Sequence, residues 1–145
     1  SNPPPELSGN FSHYKSILSA DISARHLTRA KLLLRDIILY LTAHYAEKLS
    51  CEAVAEHFYI SSSYLKKILA QEAGSSFTSV VEEIRLEKAC ELLASNQYYI
   101  ANIAEMVGYY DPAYFTKVFK KKYRMTPTQY ALVKQNHRGD HPTAK

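Results

Sequence analysis

The stretch VGYYDPAYFTKVFKKKYRMTP, Val107 to Pro127, repeats the pattern of an earlier one, HFYISSSYLKKILAQEAGSSF, His57 to Phe77. Setting Ala55 over Ala104 brings Glu56 onto Glu105 and Tyr59 onto Gly108. After one extra residue in the second turn, Tyr64 falls on Tyr114, Leu65 on Phe115, Lys67 on Lys117, Ile68 on Val118 and Leu69 on Phe119. The shared pattern is a short helix, a tight turn and a second helix. Such a unit needs a small residue where its helices cross, supplied by Ala55 and Ala104, and a turn residue tolerant of positive φ, supplied by Gly108. Leu65 and Ile68 in one copy, and Phe115 and Val118 in the other, would pin the second helix to its domain and leave the opposite face free. Tyr59 is the irregularity. It stands where the other copy has Gly108, and a non-glycine residue in the left-handed conformation costs roughly 1 to 2 kcal/mol, so either that turn differs or packing offsets the strain.

Outward from this pair the chain reads as helix throughout. Upstream, Leu33, Ile37, Leu41 and Tyr45 recur every four residues, widened by Leu34 and Ile38 and preceded by Thr28 as N-cap. That predicts an amphipathic helix of about five turns. The first motif predicts helices from Ser50, itself a cap, to His57, and from Ser62 to Glu72, with Gly74 as the left-handed residue that stops the second. A linking helix opens after Ser75 and Ser76, carries Val80, Val81, Ile84, Ala89, Leu92 and Leu93, and ends at the SNQ run. At about 19 residues and 1.5 Å each it would be roughly 28 Å long. The second motif predicts helices over Ala101–Val107 and Pro112–Tyr123, Pro112 suiting a first helical turn, and a last short helix from Pro127 through Val133. No segment alternates with period two. The expected fold is therefore all-α, two helix-turn-helix subdomains joined by a long linking helix, a duplicated homeodomain-like arrangement. The expected boundaries are a linker over residues 1–27 leading to a preceding domain, a first subdomain over 28–76, the linking helix over 77–96, a second subdomain over 97–134 and a flexible tail over 135–145.

Composition narrows the function. A chain of 145 residues suits one ordinary domain or two small ones sharing a core, and its hydrophobic content of 46% is that of a globular protein. No apolar run approaches the roughly 20 residues of a bilayer-spanning helix, so no membrane partner is expected. The start, Ser-Asn-Pro-Pro-Pro without Met, is expected to belong to a fragment of something longer. Cys51 and Cys90 form neither a C-x-x-C pair nor a Cys/His ligand set, which implies reduced thiols in a cytoplasmic protein. His57 and Cys51 lack the spacing of roughly three or four residues that one helix face needs for metal ligands. Glu82, Glu83 and Glu87 read as the wet side of the linking helix. No metal, cofactor or catalytic residue is expected. The net charge is +4, and from Pro112 to Gly139 there is no acid, while Lys117, Lys120, Lys121, Lys122, Arg124, Lys134 and Arg138 are basic. Such a block is either a solvated face or the footprint of a polyanion.

Helix-hairpin repeats also build solenoids and plain bundles. Two copies fall short of the three or so a solenoid needs, and the charge gathers in the second copy, so the pattern favours DNA binding. The order of elements, with LSCEAVAEHFYISSSYLKKILAQEAGSSF, IRLEKACELL and IANIAEMVGYYDPAYFTKVFKKKYRMTPTQY, closely resembles the C-terminal DNA-binding domain of AraC/XylS-type transcription regulators over about Ala30 to Ala131. The second motif with its MTPTQY tail is the most specific part. The HFYISSSYLKK form is also similar to the output domains of response regulators of this class.

The resemblance implies that the first turns of both recognition helices reach base edges of double-stranded promoter DNA. Carried over by position, this implicates Ser63, Lys66 and Lys67 in the first copy and Ala113, Thr116 and Lys117 in the second. Lysine can donate to guanine O6 and N7, and Ala or the Thr methyl can touch a thymine methyl. Lys66 and Lys67 could instead hold phosphates or be solvated. Phosphate contacts are expected at Ser50, Ser61, Ser62 and Asn102, with charge from Lys121 and Arg124. Two recognition helices on a rod of roughly 28 Å would suit successive major grooves, about 34 Å apart. RNA polymerase and an N-terminal sensor or receiver domain of the same chain are the further partners implied. Arg124 stands where the family has glycine before MTP, matching Gly74 in the first copy. The competing reading is a helical protein-interaction module that kept the fold but lost base contacts, to which the tyrosine pairs Tyr98-Tyr99 and Tyr109-Tyr110 would contribute, packing at helix crossings being their default role.

Overall fold

The computed structural model describes residues 28–137 and is helical, with no strand among those residues. Seven helices follow in order: α1 Arg29–His44, α2 Cys51–His57, α3 Ser62–Ile68, α4 Phe77–Ser95, α5 Ile100–Met106, α6 Pro112–Tyr123 and α7 Pro127–His137. The tether expected over residues 1–27 lies outside the described residues, as does the flexible tail expected over 135–145 except for its first three residues, 135–137, which are helical. The last helix runs through His137 rather than stopping at Val133. Contacts divide the chain into two compact units, Ser1–Ile84 and Arg85–Lys145, with the division inside α4.

In the first unit, Thr28 caps α1, its Oγ1 accepting from Lys31 N–H at 3.1 Å. The buried stripe of α1 is Leu34, Ile37, Ile38 and Leu41, with Leu33 and Tyr45 packed at its edge. Against it lie Val54 and Ala55 of α2, Leu65 and Ile68 of α3, and Val80, Val81 and Ile84 of α4. Past Ile68 the chain does not continue as the α-helix expected to Glu72; it widens into a π-helical segment, Leu69–Ala73, and stops at Gly74, φ 68°. Leu69 and Ala73 of this segment are both buried. In the second unit the buried set includes Leu86, Ala89 and Leu93 of α4, Ile103 and Ala104 of α5, and Phe115 and Phe119 of α6. The rings of Phe115, Phe119, Tyr123 and Tyr130 continue one another at centroid separations of 4.7 to 6.0 Å. The MTPTQY tail has a mechanical role: Thr126 N–H donates to Gln129 Oε1 at 2.8 Å while Gln129 N–H donates to Thr126 Oγ1 at 3.1 Å. This reciprocal capping box fixes the start of α7.

Glu83 corrects one expectation. Its residue is only 7% exposed, so it does not belong to a wet side of α4. Val80, Ile84 and Leu86 beside it are fully buried, and Glu82 and Glu87 are half-buried, so α4 has no fully solvated acidic stripe there. A helix covered on most sides loses the polar periodicity from which a wet face is read.

Candidate nucleic-acid interface

The two motifs repeat in atomic detail. In the first, Tyr59 N–H donates to Glu56 O at 3.0 Å and Ile60 N–H to Ala55 O at 3.0 Å. In the second, Gly108 N–H donates to Glu105 O at 3.0 Å and Tyr109 N–H to Ala104 O at 2.8 Å. Both are the paired bonds of a helix end closed by a left-handed residue, and φ is 59° at Tyr59 and 106° at Gly108. Ala55 and Ala104 are each 1% exposed. The one-residue insertion is Tyr110, which leads to Asp111 rather than directly to a cap. Ser61 caps α3 by accepting from Tyr64 N–H at 3.0 Å, and Asp111 caps α6 by accepting from Ala113 N–H at 3.0 Å, with Pro112 in the first turn.

The base-contact candidates share a spacing of i, i+3 and i+4 on each recognition helix. On α3, Ser63, Lys66 and Lys67 are all exposed, opposite Leu65 and Ile68. On α6, Ala113 and Lys117 are exposed and Thr116 is half-buried, opposite Phe115 and Phe119. Val118, expected to pin α6 as Ile68 pins α3, is only half-buried, and Phe119 takes that part. Among the phosphate-contact candidates, Ser50 and Ser61 are exposed and use their oxygens as cap acceptors, for Ala53 N–H at 3.1 Å and for Tyr64 N–H. Each hydroxyl keeps its proton to donate outward. Ser62 is half-buried, while Asn102, Lys121 and Arg124 are exposed. Arg124 has φ 64° and ends α6 with its N–H on Lys120 O at 2.8 Å, so it occupies the left-handed position that Gly74 fills in the first unit.

Sequence reasoning missed Arg85. Its guanidinium lies over the Tyr109 ring, 5.5 Å from the centroid, and Tyr109 in turn meets Phe115 at 5.6 Å and Tyr114 at 6.0 Å. Burial holds the Arg85 pKa below its ordinary value. The turn residue of the second motif is thus gripped between a cation from α4 and the recognition helix. The signal was the arginine at the head of IRLEKACELL. The tyrosine pairs divide: Tyr109 is buried, but Tyr99 and Tyr110 are 82% and 80% exposed and do not pack at crossings.

Both cysteines are buried and free, and burial pushes each thiol upward in pKa; Cys51 Sγ lies 4.0 Å from Ser62 O. Among the described residues no group of three or more His, Cys, Asp or Glu is placed to hold a metal ion, and no helix is long and apolar enough to cross a membrane.

A family described as a helix-turn-helix domain matches residues 54–132. The regulatory protein PocR of Salmonella typhimurium is 35% identical over 117 residues, covering 81% of this chain and 37% of PocR. The C-terminal domain of AraT, a response regulator from Geobacillus stearothermophilus, superimposes with a TM-score of 0.68 at 38% identity, covering 74% of this chain and 88% of that one. The DNA-binding domain of AdpA, a global transcriptional factor solved in complex with a target DNA, reaches a TM-score of 0.68 at 19% identity, over 71% of this chain and 93% of that one, a likeness of fold alone. This chain belongs to the AraC/XylS-type family of helix-turn-helix transcription regulators. It spans less than half the length of the curated relatives it matches.

Proposed function

We propose that this chain is the sequence-specific, double-stranded DNA-binding part of a transcription regulator, with α3 and α6 as recognition helices for successive major grooves. The observation that carries the reading is the duplicated turn, the same two backbone hydrogen bonds in both copies, each followed by a helix that exposes its i and i+4 candidates, Ser63 and Lys67 in one and Ala113 and Lys117 in the other. In this reading residues 28–76 and 97–134 are the two reading subdomains and residues 77–96 the rod between them. Ser63, Lys66 and Lys67 address bases from the first, and Ala113, Thr116 and Lys117 from the second. Ser50, Ser61, Ser62, Asn102, Lys121 and Arg124 hold phosphates. The bare methyl of Ala113 suits a thymine methyl, and the exposed lysines suit guanine edges.

The reading has no catalytic step, and its place is the cytoplasm, where promoter DNA lies. RNA polymerase is the proposed partner on the promoter, in keeping with relatives that are transcription regulators. A sensor or receiver domain elsewhere in the same polypeptide is the proposed source of control, in keeping with the likeness to response-regulator C-terminal domains. The test is a gel shift with a duplex selected by the chain from a random-sequence pool against a scrambled duplex. Retention of the selected duplex alone is expected. Salt-tolerant indifference to both would overturn the reading in favour of a helical protein-interaction module.

A further inference from the structure

Tyr59 is anomalous in a way that its turn does not explain. Its φ of 59° lies in the left-handed region, the turn hydrogen bonds are those of the glycine-closed copy, and the residue is 96% exposed. Neither a different turn nor packing offsets the strain that a side chain brings to this backbone. A residue held in a costly conformation with its ring bare in solvent is kept for what the side chain meets. The second motif reaches the same result by another route. There the left-handed position is Gly108, and the inserted residue, Tyr110, is 80% exposed directly before the cap of α6. Each motif thus presents one nearly bare tyrosine in its turn, within two residues of the residue that caps its recognition helix.

We propose that Tyr59 and Tyr110 are backbone clamps on the duplex, each phenol O–H donating to a phosphate at the edge of the groove its recognition helix enters. This rests on the DNA-binding reading above and adds two contacts to it. Duplex is favoured over a protein partner because the feature recurs in both motifs by different local solutions, and the shared task of the two motifs is to engage the same repeating polymer. A phenol carries no charge at neutral pH, so these contacts add hydrogen bonds to phosphate without releasing counterions. They therefore orient each unit rather than read bases.

The experiment uses the chain, its Tyr59→Phe, Tyr110→Phe and Tyr59→Gly variants, and a labelled duplex selected by the native chain from a random pool. Each Tyr→Phe change is expected to weaken binding about threefold to tenfold, with the base preference and the slope of affinity against salt unchanged. Tyr59→Gly is expected to weaken binding at least as much while raising the unfolding midpoint by a few degrees, since glycine relieves the left-handed strain. That opposed pair of shifts is one that a merely structural tyrosine would not give. Variants that bind the duplex as tightly as the native chain would overturn the proposal, as would variants impaired only in transcription assays with RNA polymerase, which would assign the rings to a protein partner. A native chain that retains no duplex would instead overturn the DNA-binding reading itself.

Discussion

Lys67 and Lys117 hold equivalent places, exposed, one turn into helices whose inner faces are buried. Lys67→Ala and Lys117→Ala are expected to relax preference at particular base pairs, with about 1 to 3 kcal/mol lost at each affected position, as read by repeating the duplex selection with the variants. Lys121→Ala should weaken binding evenly across sequences and lower the salt slope by about one. Inside the second unit, Phe115 is fully buried, and Phe115→Ala should lower stability by about 3 to 5 kcal/mol in denaturant titrations. Buried ionisable groups set the alkaline limit. Burial raises the pKa of Cys51, Cys90 and Tyr130, so the neutral forms are favoured in the folded state. Their contribution is complete below the ordinary thiol value of 9.0 and is lost as pH rises through the folded values. The unfolding midpoint should hold steady through neutral pH and decline above about pH 9, less steeply in Cys90→Ala. At this scale the sequence was an uneven guide. It marked Lys67 and Lys117 by register, but exposure of Tyr99 and Tyr110, burial of Glu83 and the grip of Arg85 on Tyr109 depend on contacts far apart in the chain.

Helix starts are where the chain was most legible. Thr28 and Ser50 cap where hydroxyls preceding apolar periods predict caps, and Pro112 opens α6 as its fixed φ suits. Helix ends were harder, because they are set by packing. Nothing in the residue pattern marks the π segment after Ile68, and α7 outruns its apolar pattern to His137. The capping box at Thr126 gives a prediction for an element rather than a residue: Thr126→Ala should cost about 1 kcal/mol, with faster hydrogen exchange in the first turn of α7. The Arg85 guanidinium over Tyr109 acts on the turn of the second motif, so Arg85→Ala should impair reading by α6 more than reading by α3. Selection with that variant would show the half of the site that loses its preference.

For the molecule as a whole, the duplication was legible from the register of Ala55 with Ala104, and the hydrogen bonds of both turns repeat it. The basic block after Pro112 is exposed at Lys117, Lys120, Lys121, Lys122 and Arg124. If about six phosphates are neutralised, raising salt from 50 to 200 mM should weaken binding roughly a thousandfold, and a flat response would speak against a duplex held by its backbone. Whether two recognition helices on one polypeptide read two grooves is decided by sequencing the duplexes that the native chain selects from a random pool. The selected duplexes are expected to share a bipartite site whose halves lie about 10 base pairs apart, with Lys67→Ala and Lys117→Ala each erasing preference in a different half. A single short recognition element, or one half erased by both substitutions, would contradict it.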